Sequence, residues 1–108
     1  MLTNLKVLFA TTGYPVAEEI FMKPPLLPYM IFSEFRDVQG SDHSNLIANR
    51  AVTVELYSGK IDGIAEQSIE NLLNNNKIHY TKERIWLETE IFFQTIYDFN
   101  LIEKIGGN

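Results

Sequence analysis

The chain has 108 residues, 45% of them hydrophobic and 21% charged, which gives one folded domain and excludes a disordered chain. It carries 9 Lys and Arg against 14 Asp and Glu, a formal charge of −5 with no basic surplus in either half, so general nucleic-acid binding is disfavoured. With no Cys there is no disulfide scaffold, no thiolate nucleophile and no Cys-ligated metal.

The first predicted element is a short amphipathic helix. Thr3 is its expected N-cap, Leu5, Leu8, Phe9 and Thr12 make its apolar stripe, and Gly13 followed by Pro15 ends it. Residues 14–22, with Val16, Ala17, Ile20 and Phe21, read equally as another helical turn or an extended link. Lys23 to Pro28 is a stiff connector, because its prolines fix φ and donate no hydrogen bonds. Tyr29 to Arg36 follows as a strand, with Tyr29, Ile31 and Phe35 on one face and Met30 and Phe32 on the other. Asp37 to Asn49 is polar and reads as a loop longer than the ~4–6 residues usual for a connection, which hints at function because loops of that length are working parts or disordered. Arg50 to Tyr57 is the clearest strand, its Val52, Val54 and Leu56 facing a core.

Asp62 is placed to cap a second helix ending near Asn75. Ala65, Ile69, Leu72 and Leu73 form its apolar stripe, with Glu66, Gln67, Glu70, Asn71 and Asn74 on its wet side. A third strand runs from Ile78 to about Arg84, and the chain bends near Trp86 to Glu90. The fourth strand reaches about Ile102, with Ile91, Phe93, Thr95, Tyr97, Phe99 and Leu101 on one face; residues 103–108 are expected to fray. The order α-β-β-α-β-β predicts a single two-layer α+β domain over 1–108, with residues 1–28 as the N-terminal helix and connector. Its expected core is a four-stranded mixed sheet with both helices on one face, built from two hairpins around a right-handed crossover from Val52 to Tyr80.

No catalytic, cofactor-binding or metal-ligating set emerges. His43 and His79 share no metal-ligand spacing, and Ser33, Ser41, Ser44, Ser58 and Ser68 lie in no nucleophile elbow. Gly59 and Gly63 flank a turn without the P-loop lysine pattern. Glu83, Glu88 and Glu90 around the last hairpin invite a paired-carboxylate enzyme, but a charged rim guarding a sheet edge explains them better. Trp86 beside Ile85 and Leu87, bounded by Arg84 and Glu88, reads as a contact patch or as core folded back under the first helix. No apolar run reaches the ~20 residues that span a bilayer and no cleavable leader is evident, so a cytoplasmic protein is expected.

The segment Leu27-Pro28-Tyr29-Met30-Ile31-Phe32 leads into a polar stretch with Asp42 and Asn45, then Val52-Thr53-Val54-Glu55-Leu56-Tyr57, a turn and Asp62. Ile78-His79-Tyr80, an acidic hairpin and a Phe- and Tyr-rich last strand complete the order. Over roughly residues 5–102 this resembles the tail-completion (tail-terminator, head–tail joining) proteins of long non-contractile-tailed phages and prophages. His43 at the loop tip and Gly63, where relatives often start the helix with Pro, depart from that pattern. The resemblance implies a non-enzymatic minor structural protein of the virion, without a cofactor, that assembles in the host cytoplasm into a ring, with six subunits as the expected number. Such a ring ends the tail tube at the tail–head junction, with the subunit itself, the major tail-tube protein and the head connector as partners, and neither specific nucleic-acid binding nor a membrane. Candidate interface residues are Asp42, His43 and Asn45 in the long polar stretch and Arg84, Trp86 and Glu88 at the last hairpin. The alternative is a small regulatory or protein-binding module acting through a sheet edge or the Trp86 hairpin.

Overall fold

A computed structural model describes residues 2–40 and 46–105. The chain begins with α1 (Leu5–Ala10). Its N-cap is Asn4 rather than Thr3: the Val7 N–H donates to Asn4 Oδ1 at 3.1 Å, and Thr3 is engaged with Glu103 instead. Gly13, at φ +88°, turns the chain out of the helix in the left-handed region that favours glycine. The undecided stretch 14–22 is extended and supplies β1 (Val16–Glu18), a strand too short to show alternation in sequence.

β2 (Tyr29–Gln39), β3 (Leu46–Ser58), α2 (Gly63–Asn75), β4 (Tyr80–Leu87) and β5 (Phe92–Ile105) complete the order. The sheet has five strands in the order β1-β2-β3-β5-β4, where four were expected. β1 pairs parallel to β2, while β2–β3, β3–β5 and β4–β5 are antiparallel. β3 and β4 therefore run the same way with β5 between them, and α2 carries the chain across that gap.

Both helices cover one face of the sheet. Leu5 and Phe9 of α1 and Ala65, Ile69 and Leu73 of α2 pack on Met30, Phe32, Val52, Val54, Leu56, Tyr97 and Phe99. Alternation puts these strand residues on one side of the pleat. The predicted inward face of β3 is the buried one, and Thr95, Tyr97 and Phe99 of β5 face the core as expected. Ile91 does not join them: it is 71% exposed and lies in the β4–β5 turn. Asp62 caps α2 as predicted, accepting from the Ala65 N–H at 3.0 Å.

Two boundaries differ in a way that matters. The polar stretch Asp37 to Asn49 is largely strand, with Asp37 opposite Asn49, Val38 opposite Ala48 and Gln39 opposite Ile47. β5 likewise runs through Ile105, with Glu103 opposite Ala48 and Ile105 opposite Leu46, so residues 103–105 do not fray. These residues look loop-like in sequence because few apolar partners cover them there. The result is an elongated molecule, 49 × 28 × 21 Å, with a radius of gyration of 15.3 Å against the roughly 13 Å of a compact chain this long.

Candidate functional site

The long axis ends in two different structures. At one end β2, β3 and β5 continue past the helices as a three-stranded arm, comprising Ser33–Gln39, Leu46–Arg50 and Asn100–Ile105. At the other end the β4–β5 hairpin presents Trp86 and its turn.

A buried ion network fixes the root of the arm. Arg50 is 2% exposed on the helix side of β3. Its Nε and Nη2 donate to the two oxygens of Glu34 on β2, at 2.8 and 2.9 Å. Its Nη1 donates to Glu103 on β5 at 2.8 Å and to the Thr3 carbonyl at 2.7 Å. Arg36 adds a 3.0 Å contact to Glu34 from further along the arm. The backbone N–H and hydroxyl of Thr3 both donate to Glu103, so one guanidinium ties β2, β3, β5 and the start of the chain together. Hydrogen bonds from Arg50 hold the Glu34 carboxyl down at about 2, against the opposing effect of burial. Burial would raise the Glu103 carboxyl, but donors from Thr3 and Arg50 outweigh it and keep that group below its usual range.

Beyond this root the arm, polar in much of its sequence, exposes several large apolar side chains. Phe35 is 74% exposed and Ile102 72%, with Val38 and Ile47 also exposed. A cavity of about 390 Å³ lies at the arm's end, between Asp37, Gln39, Gly40, Ile47, Asn49 and Ile102.

The other end is built on a second network. Glu66, predicted to be on the wet side of α2, is 4% exposed. Arg84 donates to it from Nη2 and Nε at 2.6 and 2.9 Å, Thr95 Oγ1 at 2.9 Å and Lys82 Nζ at 2.9 Å. Lys82 also reaches Glu70 at 2.7 Å, and the Tyr97 hydroxyl donates to Glu70 at 2.7 Å. The Arg84 bonds, with help from Lys82 and Thr95, hold Glu66 at about 2 despite burial. Beyond Arg84, Trp86 packs on Phe93 with ring centroids 4.8 Å apart and stays 42% exposed. Glu88 is exposed in the turn.

Of the six sequence candidates, Asp42, His43 and Asn45 lie outside the described residues. Arg84 is committed to Glu66, whereas Trp86 and Glu88 sit together at the hairpin tip. Sequence reading missed Arg50, Glu34, Glu103 and Glu66, whose partners on other elements lie between 16 and 100 residues away in sequence. The uncovered sheet face carries a row of rings, Phe21–Tyr29–Tyr57–Phe92, each 5.4 Å from the next. Burial, reinforced by Glu55, pushes the Tyr57 phenol above its usual range. Among the described residues no group of three or more His, Asp or Glu could hold a metal ion, and no helix is long and apolar enough to cross a membrane.

Two predictions follow from this geometry. Glu34 and Glu66 titrate near 2 when folded and near 4.5 when unfolded, so their contribution is fully present above pH 4.5 and is lost as pH falls toward 2. Urea unfolding at intervals from pH 6 to pH 2.5 should show stability dropping in that window, with a shallower drop in Glu34→Gln. An equal slope in that variant would contradict the assignment. The second concerns Ile91, whose φ of +58° is a costly conformation for a β-branched residue. Ile91→Asn should raise stability by about 1 kcal/mol, measured by urea unfolding; a loss of that size would show that the side chain is held by packing.

No family model matches this chain, and no curated protein does. Among solved structures, it is similar to a chain in the virion of a native gene transfer agent (GTA) particle. The TM-score is 0.54 and the identity 14%, covering 92% of this chain and 85% of that one. At that identity the likeness is one of fold: a small α+β domain with a five-stranded sheet and two helices.

Proposed function

We propose that this chain is a structural protein of a phage-like virion, a non-enzymatic subunit that assembles with copies of itself and with neighbouring virion proteins. In its more specific form, the reading makes it a ring-forming tail terminator that stops the tail-tube protein and joins the tail to the head connector. Assembly would take place in the host cytoplasm. The observation that carries the reading is the fold shared, almost end to end, with a chain of a gene transfer agent virion.

The molecule's shape supports it. Its accessible surface of 6926 Å² exceeds the roughly 6100 Å² typical of a monomer of this mass. Apolar groups are exposed at both ends of the long axis, at Phe35, Val38, Ile47 and Ile102 on the arm and at Trp86 and Ile91 on the hairpin. A subunit placed between two other components needs two such ends. The net charge of −5 would let DNA pass a ring without adhering, because phosphates are repelled.

The test is polymerisation of the matching tail-tube protein with and without this chain. Addition should cap the tubes and shorten their length distribution in electron micrographs. Unchanged tube lengths, with no density at either tube end, would contradict the terminator role.

A further inference from the structure

The arm exposes two backbone edges. β1 covers β2 only at Met30–Phe32, and the Glu19 N–H closes on the Phe32 carbonyl, so β2 from Ser33 to Gln39 has no strand on its outer side among the described residues. β4 covers β5 only as far as Phe99, which leaves Asn100–Ile105 equally open. Where β4 begins, a groove of about 530 Å³ lies between the α2–β4 turn, at Asn76–His79, and the β5 edge, at Asn100–Ile102. Unpaired edges of this length are templates for another strand unless something covers them.

We infer that each edge covers the other between copies: β5 of one chain pairs with β2 of a second copy, extending the sheet from subunit to subunit. The two strands already run in the same direction, since both are antiparallel to β3. Copies related by rotation about an axis near the strand direction would therefore pair them in parallel. In one register, with even residues of β5 beside odd residues of β2 on the uncovered face, four consecutive positions match. Ile102 meets Phe35 of the second copy, Glu103 meets Arg36, Lys104 meets Asp37 and Ile105 meets Val38. Apolar groups meet apolar groups and opposite charges meet, on both faces of the pleat.

The match is specific to that register. A slip of two residues is the smallest that keeps the faces. In one direction it puts Glu103 against Glu34 and Lys104 against Phe35; in the other it puts Ile102 against Asp37 and Glu103 against Val38. Geometry also favours a closed assembly. At about 4.8 Å per strand, three arm strands span ~14 Å and five body strands ~24 Å. Joined arms therefore close at a narrower radius than the bodies, which splay outward. This pairing rests on the self-assembly reading above and names its surface.

The absence of Cys gives a clean test. In the full chain, Phe35→Cys with Ile102→Cys places the two residues two strands and two positions apart within one subunit, about 12 Å across β3, which is too far for an internal disulfide. Between paired copies they are adjacent. Mild oxidation should give a ladder of covalent multimers on a denaturing gel, and Phe35→Cys with Met22→Cys, where Met22 is more exposed still at 94%, should not. Asp37→Lys should raise the concentration needed for self-association roughly tenfold or more, as should Lys104→Asp, and the two together should restore it. Self-association that persists without a ladder and without charge rescue would overturn this edge pairing while leaving assembly intact. A wild-type chain that stays monomeric at every concentration, with no ladder from the double-Cys variant, would overturn both.

Discussion

Arg50→Ala should cost about 3–5 kcal/mol of folding stability. The guanidinium is 2% exposed and is the shared partner of Glu34, Glu103 and the Thr3 carbonyl. Removing it leaves two carboxylates facing each other in a poorly hydrated space, with only Arg36 and Thr3 still in contact. A domain of this size has about 5–15 kcal/mol in total, so the variant should unfold at far lower urea than the parent. Because the network sits at the root of the arm, the variant should also lose self-association at concentrations where it is still folded. Glu34→Gln in the Arg50→Ala background should recover part of the loss by removing one unpaired charge. A change below 1 kcal/mol would show that water, not Arg50, solvates the two carboxylates.

Leu56→Ala should cost about 2–5 kcal/mol. Leu56 is fully buried on the central strand β3, opposite Met30 on one side and Thr95 on the other, beneath the helical layer. Truncation there leaves a cavity that Ile69 and Leu73 of a well-packed helix cannot refill without moving α2. Assembly should survive at low temperature, since the arm lies at the far end of the strand. Chemical denaturation measures the loss directly, and a negligible change would reverse the assignment of the two faces of β3.

The pair of variants separates what the sequence makes legible from what it does not. Leu56 is readable because strict alternation, Val52, Val54 and Leu56 against Thr53, Glu55 and Tyr57, is a property of neighbours in the chain. Asp62 at the start of α2 is readable for the same reason. Arg50 is not, because its partners come from β2, β5 and the start of the chain and meet only once the sheet is assembled. Glu66 misleads in the same way: on its own helix it looks like part of the wet side, and only β4 and β5 bring Arg84, Lys82 and Thr95 against it. β1 was missed because three residues show no period.

The misreading of Asp37 to Asn49 is the most informative for function. Among the described residues, polar sequence at 37–39 and 46–49 belongs to paired strands rather than to a loop. Seen as strands, the described residues of that stretch form part of an arm with open edges, on which Val38 and Ile47 are exposed beside Phe35 of β2 and Ile102 of β5. The length of that stretch was legible in the sequence, whereas its strand pairing was not, because the partners on β2, β3 and β5 meet only in the assembled sheet. At the other end, Trp86, which the sequence left open between a contact patch and core, packs on Phe93 and remains 42% exposed. Arg84, read beside it as an interface group, anchors Glu66.

The claim on which the account depends is that the exposed ends of this subunit exist to join copies and neighbours. Native mass spectrometry of the wild-type chain, alone and with its tail-tube protein across a range of concentrations, tests it most directly. The account predicts a closed oligomer of fixed copy number in at least one of those conditions, lost in Asp37→Lys and regained with Lys104→Asp. A chain that is monomeric throughout, alone and with the tube protein, would contradict it.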